Sequence, residues 1–231
     1  MSNTTTRAIA RTSMMIASIA VAATVTVAAA RVGTAAAEPA KVLSVSHGPK
    51  EPSNKWLEGL TAKHKQFFDA PTTNGGVPLV HVMNYYDTYN KAFGVKDADI
   101  KAVLTFYGAT TFYALNDAMW SKYKLGEFLD TTDPTTGKPA TANPWRSAPV
   151  ILGLTLPATS IESLSKRGAT LILCNNALGI FAGLLAQKRG LETKAVYEDL
   201  KSNILPGIDL IPGMVVAVEQ AQRAGLTYHR Q

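Results

Sequence analysis

The chain is poor in the residues that metal, disulfide and hydrolytic chemistry require. It has one cysteine, Cys174, so neither an internal disulfide nor a thiolate zinc site can be built from it. His47, His64, His81 and His229 are its four histidines, and none forms an H-x3-H pair, so a metal centre is not expected. His81 reads as a hydrogen-bonded interior residue. No Ser-His-Asp elbow, phosphate-binding glycine loop or dinucleotide fingerprint is present, and no cofactor is expected. The uncharged, alanine-rich segment Met14 to Ala30 is 17 residues and is diluted by Ser18, Thr24 and Thr26. A membrane span needs roughly 20 strongly apolar residues.

Acidic residues are also missing from residues 1–37. Arg7 and Arg11 form a basic start, Met14 to Ala30 an alanine-rich core, and Ala35-Ala36-Ala37 a small-residue cleavage site before Glu38. This order predicts a signal peptide and a periplasmic or secreted mature protein with no membrane segment. The two arginines are not adjacent, so a twin-arginine signal is not expected. Removal takes Arg7, Arg11 and Arg31 from the 23 basic residues, leaving 20 against 17 acidic and a net charge of +3. The sequence pI near 9.4 therefore owes much to the signal. No basic stripe remains, and nucleic acid is not an expected partner.

What is present is an alternation of apolar runs and helical patterns. After a proline-bearing lead-in over residues 38–52, the spacing of Trp56, Leu57, Leu60, Phe67 and Phe68 predicts an amphipathic helix over Ser53–Asp69. The reading is therefore an N-terminal extension over 38–77 and a domain over 78–231. Strands are predicted at Pro78–Asn84, Lys101–Tyr107, Ala169–Cys174, Ile208–Ile211 and Leu226–His229. Helices are predicted at Asp87–Phe93, Thr110–Tyr123, Thr159–Arg167, Ala177–Lys188, Thr193–Asn203 and Gly213–Ala224. Thr159-Ser160-Ile161-Glu162 fits a capping box. A polar connection with Pro134, Gly137, Pro139 and Pro144 marks an insertion at 130–157, too long for an ordinary loop. Strands alternating with helices give an α/β fold, a three-layer α/β/α sandwich with a mainly parallel sheet of about five strands.

Cys174 closes the buried run Ala169-Thr170-Leu171-Ile172-Leu173 and precedes a helix. Open α/β sheets place ligands at the carboxyl ends of their strands. A helix N-terminus also favours a thiolate over a thiol. The alternative is a small hydrophobe filling the strand end. Asn175 and Asn176 read as caps first and as anion contacts second. Tyr107, Gly108 and Thr110 end the second strand, where Gly108 allows a tight turn and Thr110 can cap the next helix or touch an anion. Asn84 and Tyr85, with Tyr86, end the expected first strand as the third edge of the same crevice. Asn116, Asp117 and Trp120 fall on the helix after the second strand, where Asp117 reads as a solvated charge.

The C-terminal half carries a resemblance. A helix ending Lys166-Arg167-Gly168, a strand closing on Cys174-Asn175-Asn176, then Val218-Glu219-Gln220-Ala221-Gln222 and Gly225-Leu226-Thr227-Tyr228 resemble the DsrE/DsrF-like family of small sulfur-relay proteins. The strand Val103-Leu104-Thr105-Phe106-Tyr107-Gly108 is similar to that family's second strand. The similarity runs from about Pro78 to Tyr228, interrupted by the insertion. The resemblance implies that Cys174 carries sulfane sulfur as a persulfide, as in the family's sulfurtransferase members. It implies a homo-oligomer, a small sulfur anion or a donor protein as sulfur source, and an acceptor protein. The export signal and the extra N-terminal segment depart from members of that kind, which are usually intracellular. The competing reading is a non-catalytic module of the same fold, binding a small anion or joining subunits, with Cys174 structural.

Overall fold

The computed structural model describes residues 55–58 and 60–231. The expected signal sequence over residues 1–37 and the lead-in over residues 38–52 lie outside the described residues.

A short 3-10 turn at Lys55–Leu57 leads into β1 (His64–Asp69) and α1 (Val77–Phe93). Next come β2 (Ile100–Phe106), a 3-10 segment at Gly108–Ala114, and the short helices α2 (Asp117–Lys122) and α3 (Leu125–Leu129). A hairpin of β3 (Val150–Ile151) and β4 (Leu154–Thr155) precedes α4 (Ile161–Lys166), β5 (Thr170–Cys174) and α5 (Asn175–Arg189). The chain continues through α6 (Thr193–Ser202), β6 (Ile208–Ile211), α7 (Met214–Arg223) and β7 (Thr227–Arg230).

Five strands form one parallel sheet in the order β6-β5-β2-β1-β7, so the expected three-layer α/β/α architecture is present. From β1 the chain steps through β2 and β5 to β6, then jumps back across the sheet to β7. Right-handed crossovers put the helices of one stepping direction on one face and a reversed connection on the other. The packing follows that rule. Leu79 and Val82 of α1, Leu164 of α4 and Leu178 and Leu185 of α5 bury Phe68, Leu104, Phe106, Leu171 and Leu173. On the opposite face, Met214, Ala217 and Ala221 of α7 join Trp56 over Phe67, Val103, Ile172 and Cys174. The loops after the adjacent strands β5 and β6 turn to opposite faces, into α5 and α7, which makes the crevice between those two carboxyl ends the switch point of the sheet.

Two elements differ from the sequence reading. The residues expected as an amphipathic helix over Ser53–Asp69 supply the strand β1, which pairs with both β2 and β7. Consecutive Phe67 and Phe68 are both buried, one on each face, as a central strand requires and a one-sided helix does not. Conversely, Pro78–Asn84, expected as the first strand, is the first half of α1. Leu79, Val82 and Tyr86 are its buried residues, at helical spacing, and Pro78 occupies the first turn, where its missing N–H costs nothing. The first strand therefore lies inside the segment read as an extension, and the sheet begins 14 residues earlier, at 64 rather than 78.

The single helix expected over Thr110–Tyr123 is divided. Leu115 is extended (φ −103°, ψ 155°), and Asn116 restarts the helix by accepting the Met119 N–H with its side chain, 3.2 Å. At α4 the cap is Ser160, which accepts the Ser163 N–H at 3.1 Å; Glu162 instead receives Arg146 at 2.6 Å. Among the described residues no helix is long and apolar enough to cross a membrane.

Candidate functional site at the carboxyl edge of the sheet

Cys174 is the last residue of β5 and the N-cap of α5. Asn175 and Asn176, expected as caps, are already inside the helix, and the sulfur itself takes the capping role. Its Sγ accepts the Ala177 N–H at 3.4 Å and the Met214 N–H at 3.3 Å. Ala177 lies in the first turn of α5 and Met214 opens α7, so two helix N-termini converge on one atom. Both ends carry partial positive charge from unpaired amides. A further hydrogen bond, from Asn176 N–H to the Pro212 carbonyl at 3.3 Å, ties the two helix starts together. Gly213 fits the junction, because a side chain there would begin 3.3 Å from the Asn176 amide nitrogen.

The thiol is nearly covered: Cys174 is 5% exposed and packs with Ile172, Ile211, Met214 and Ala217. Two residues away along the chain Asn176 is exposed, and Val215, next to the Met214 donor, is 81% exposed.

Tyr107 stands beside it. The Phe106–Leu173 pair of β2 and β5 puts Tyr107 one step on, level with Cys174, and both pack in the cluster under α7. The Tyr107 hydroxyl points away from the sulfur and donates to Asp69 Oδ1 at 2.7 Å. Tyr228 of β7 donates to the other oxygen of the same carboxylate. Asp69 is 5% exposed and ends β1, so two phenols satisfy the oxygens of a buried carboxyl group. Burial and the hydrogen bond to Asp69 raise the Tyr107 pKa; that hydrogen bond, then burial, raises the Tyr228 pKa. Both therefore stay protonated as donors at neutral pH.

The remaining expected residues divide. Gly108 turns the chain after β2 at φ +58°, and a side chain there would begin 2.7 Å from the Pro71 carbonyl oxygen. Thr110 is fully buried; its Oγ1 accepts the Tyr107 N–H at 3.0 Å and donates to the Ala70 carbonyl at 2.7 Å, leaving nothing for an anion. Asn175 is buried and accepts from the Tyr197 hydroxyl at 2.7 Å, which fastens α5 to α6. Asn176 keeps an exposed side chain beside the sulfur. Asn84 and Tyr85 are not at a strand end. They sit midway along α1 and line a small groove with His81 and His229 on the face opposite Cys174, and Tyr85 packs edge-on against Phe68. Asp117 is not a lone solvated charge but the partner of Arg146 at 2.6 Å.

The sequence reading missed Asp69 and Tyr228, because Asp69 fell in the supposed helix and Tyr228 was read only as pattern. A polar residue closing the apolar pair Phe67-Phe68 is the signal that would have marked the first. Among the described residues, no group of three or more His, Cys, Asp or Glu side chains converges. Comparison with protein-family models, with curated proteins and with solved structures gives no match in any of the three.

Proposed function

We propose that this chain is an exported protein that binds or relays sulfane sulfur on Cys174. The reading is supported by one observation above all: the sulfur sits at the carboxyl edge of a parallel sheet and receives N–H groups from two helix N-termini. Backbone N–H groups at a helix start are the kind of donor that an anionic sulfur species accepts from, and they need neither a metal nor a side-chain cation.

In the proposed step the thiol proton passes to solvent and the Cys174 thiolate attacks the outer sulfur of thiosulfate or a polysulfide. An S–S bond forms, the donor's S–S bond breaks, and the leaving group (sulfite, from thiosulfate) departs with the electron pair. An acceptor thiolate, on a partner protein or a second copy, then attacks the outer sulfur of the persulfide and releases Cys174 as thiolate. No net oxidant is needed. Asn176 and Val215 are the exposed residues next in chain to Cys174 and to the Met214 donor, and Tyr107 lies level with Cys174 on the β2 side.

The test is intact-mass measurement after thiosulfate or polysulfide treatment. The expected result is a gain of one or more sulfur atoms on the wild type and none on Cys174→Ser. No gain on the wild type, or an equal gain on the variant, rejects the proposal.

The low exposure of Cys174 favours a second reading, in which the thiol only packs and the fold serves as a binding or oligomeric interaction module. Native thiol labelling separates the two. Reaction at a rate comparable to the unfolded chain supports the relay; reaction only after denaturation supports the module.

A further inference from the structure

The segment at 130–157 is anchored to the domain and encloses a cavity. Asn143 is buried and its amide donates to the Tyr113 and Leu115 carbonyls at 2.7 and 2.8 Å. Arg146 bridges Asp117 and Glu162, each at 2.6 Å. Trp145 packs on Phe106, on the sheet face opposite Cys174. Between this segment and the turn before α1 lies a cavity of about 450 Å³, within the usual size range of small-molecule sites. Gly76, Tyr113, Asp130, Asp133, Trp145 and Ile151 line it.

Its polar groups limit what fits. Asp130 and Asp133 have no cationic partner among the described residues. Asp133 spends Oδ1 on the Thr135 and Thr136 N–H groups, which leaves Oδ2 open. The one cation of the lining, Arg146, is already shared by two carboxylates outside the cavity. The field is therefore negative and disfavours an anion. Trp145 is 3% exposed, yet its Nε1–H has no hydrogen-bond partner among the described residues. By contrast, Trp120 donates its Nε1–H to the Phe112 carbonyl at 3.0 Å. Trp145 and Gly76 both line the cavity, Nε1 lies 3.6 Å from the point where a side chain on Gly76 would begin, and Nε1 is not among the fully buried unpartnered atoms of the described residues, so it keeps accessible surface.

An occupant must accept from the indole and donate to the carboxylates. An ammonium group only donates, and a phosphate or sulfate only accepts. A hydroxyl does both. We infer that this cavity binds a small neutral polyhydroxyl compound of monosaccharide size, with Trp145 as donor and Asp130 and Asp133 as acceptors.

The test uses the full chain labelled with nitrogen-15 and glucose as the probe. Trp56, Trp120 and Trp145 are the only tryptophans, so three indole signals are expected. Trp145→Phe assigns the relevant one; if that variant does not fold, through-space contacts to Ile151 and Tyr113 do. The expected result is a saturable shift of the Trp145 signal with Trp120 unmoved, and affinity weakened about tenfold in Asp133→Asn, as for loss of a charged hydrogen-bond acceptor. A linear or absent response means a cavity filled by solvent only and overturns the inference. So does an unchanged affinity in Asp133→Asn, or a saturable response to choline in place of glucose.

Discussion

Replacing Cys174 by serine and by alanine separates two accounts of its sulfur by the sign of one difference. If the sulfur serves as acceptor for two backbone donors, alanine strands both. The Met214 N–H is buried, and an unsatisfied buried donor costs about 1–3 kcal/mol. The Ala177 N–H is partly exposed, so water recovers part of its loss, but the cap of α5 goes with it, for about 0.5–1 kcal/mol. Cys174→Ala is therefore expected to lose about 2–3 kcal/mol. Serine keeps an acceptor at the same place and should lose only about 1 kcal/mol, from a shorter reach and a smaller atom. If the sulfur merely fills space among Ile172, Ile211 and Ala217, the order reverses. Alanine then loses only a small packing term, while serine brings a hydroxyl into an apolar site at a cost of about 1–3 kcal/mol. Urea unfolding at constant m reads the difference. At roughly 2–4 °C per kcal/mol for a chain of this size, serine should melt about 2–8 °C above alanine. Alanine equal to or more stable than serine would refute the acceptor geometry on which the sulfur chemistry rests.

Arg167→Gln removes a guanidinium bonded to Asp87 at 2.6 Å, Asp97 at 3.1 Å and Asn90 at 2.9 Å, and stacked over Tyr86 at 4.9 Å; a loss of about 2 kcal/mol is expected in urea unfolding. Acid should act through the same cluster. Burial raises the Asp97 carboxyl, but hydrogen bonds from Arg167 and Asn90 outweigh it, and Lys91 and Arg167 hold Asp87 down as well. Their contribution is thus complete above the ordinary carboxylate pKa of about 4 and is lost as pH falls below it. Stability measured across that range should fall less steeply in Arg167→Gln than in the wild type, and parallel curves would contradict this. In Gly126→Ala the new methyl would begin 2.3 Å from the Ala140 carbonyl oxygen, so the 130–157 segment must shift. We expect a loss of about 2–4 kcal/mol and faster proteolysis within 130–140; wild-type stability would mean that α3 moves freely. Gly108→Ala combines φ +58° with a 2.7 Å approach to the Pro71 carbonyl, and a loss of about 2 kcal/mol in urea is expected.

From β2 onward most of the fold was legible in the sequence, because β2 and β5 are nearly continuous apolar runs and glycines follow its helices. Gly168, Gly190 and Gly225 each follow a helix at positive φ. The N-terminal third was misread for two reasons. Leu79, Val80, Val82 and Met83 suit a strand as well as a helix, and only the contacts of Tyr86 and Pro78 decide between them. His64–Asp69 offers two phenylalanines amid polar residues, a pattern whose strand identity depends on having β2 and β7 on either side. The site was legible in part. The chain position of Cys174 at a strand-to-helix junction could be read directly, whereas Thr110, expected to cap the next helix, lies inside the 3-10 segment and Asn116 caps α2. The Met214 donor and the Asp69–Tyr228 bond could not, because each joins residues at least 40 apart in sequence. The insertion was visible from its prolines, whereas its anchoring through Asn143 and Trp145 depends on backbone carbonyls and ring faces that no pattern encodes.

The placement of β7 has a consequence for how the molecule is assembled. Thr227–Arg230 pairs with β1, and Gln66 and Thr227 are 161 positions apart along the chain. Closing that pair is the longest-range event in the sheet, and loop entropy delays such contacts. A chain emerging from a ribosome therefore holds β1 with one bare edge, and Asp69 without its second phenol, until residues 227–230 are out. During that interval the bare edge is open to another unfinished copy, so dilution or a holding chaperone should improve refolding yield more than added time does.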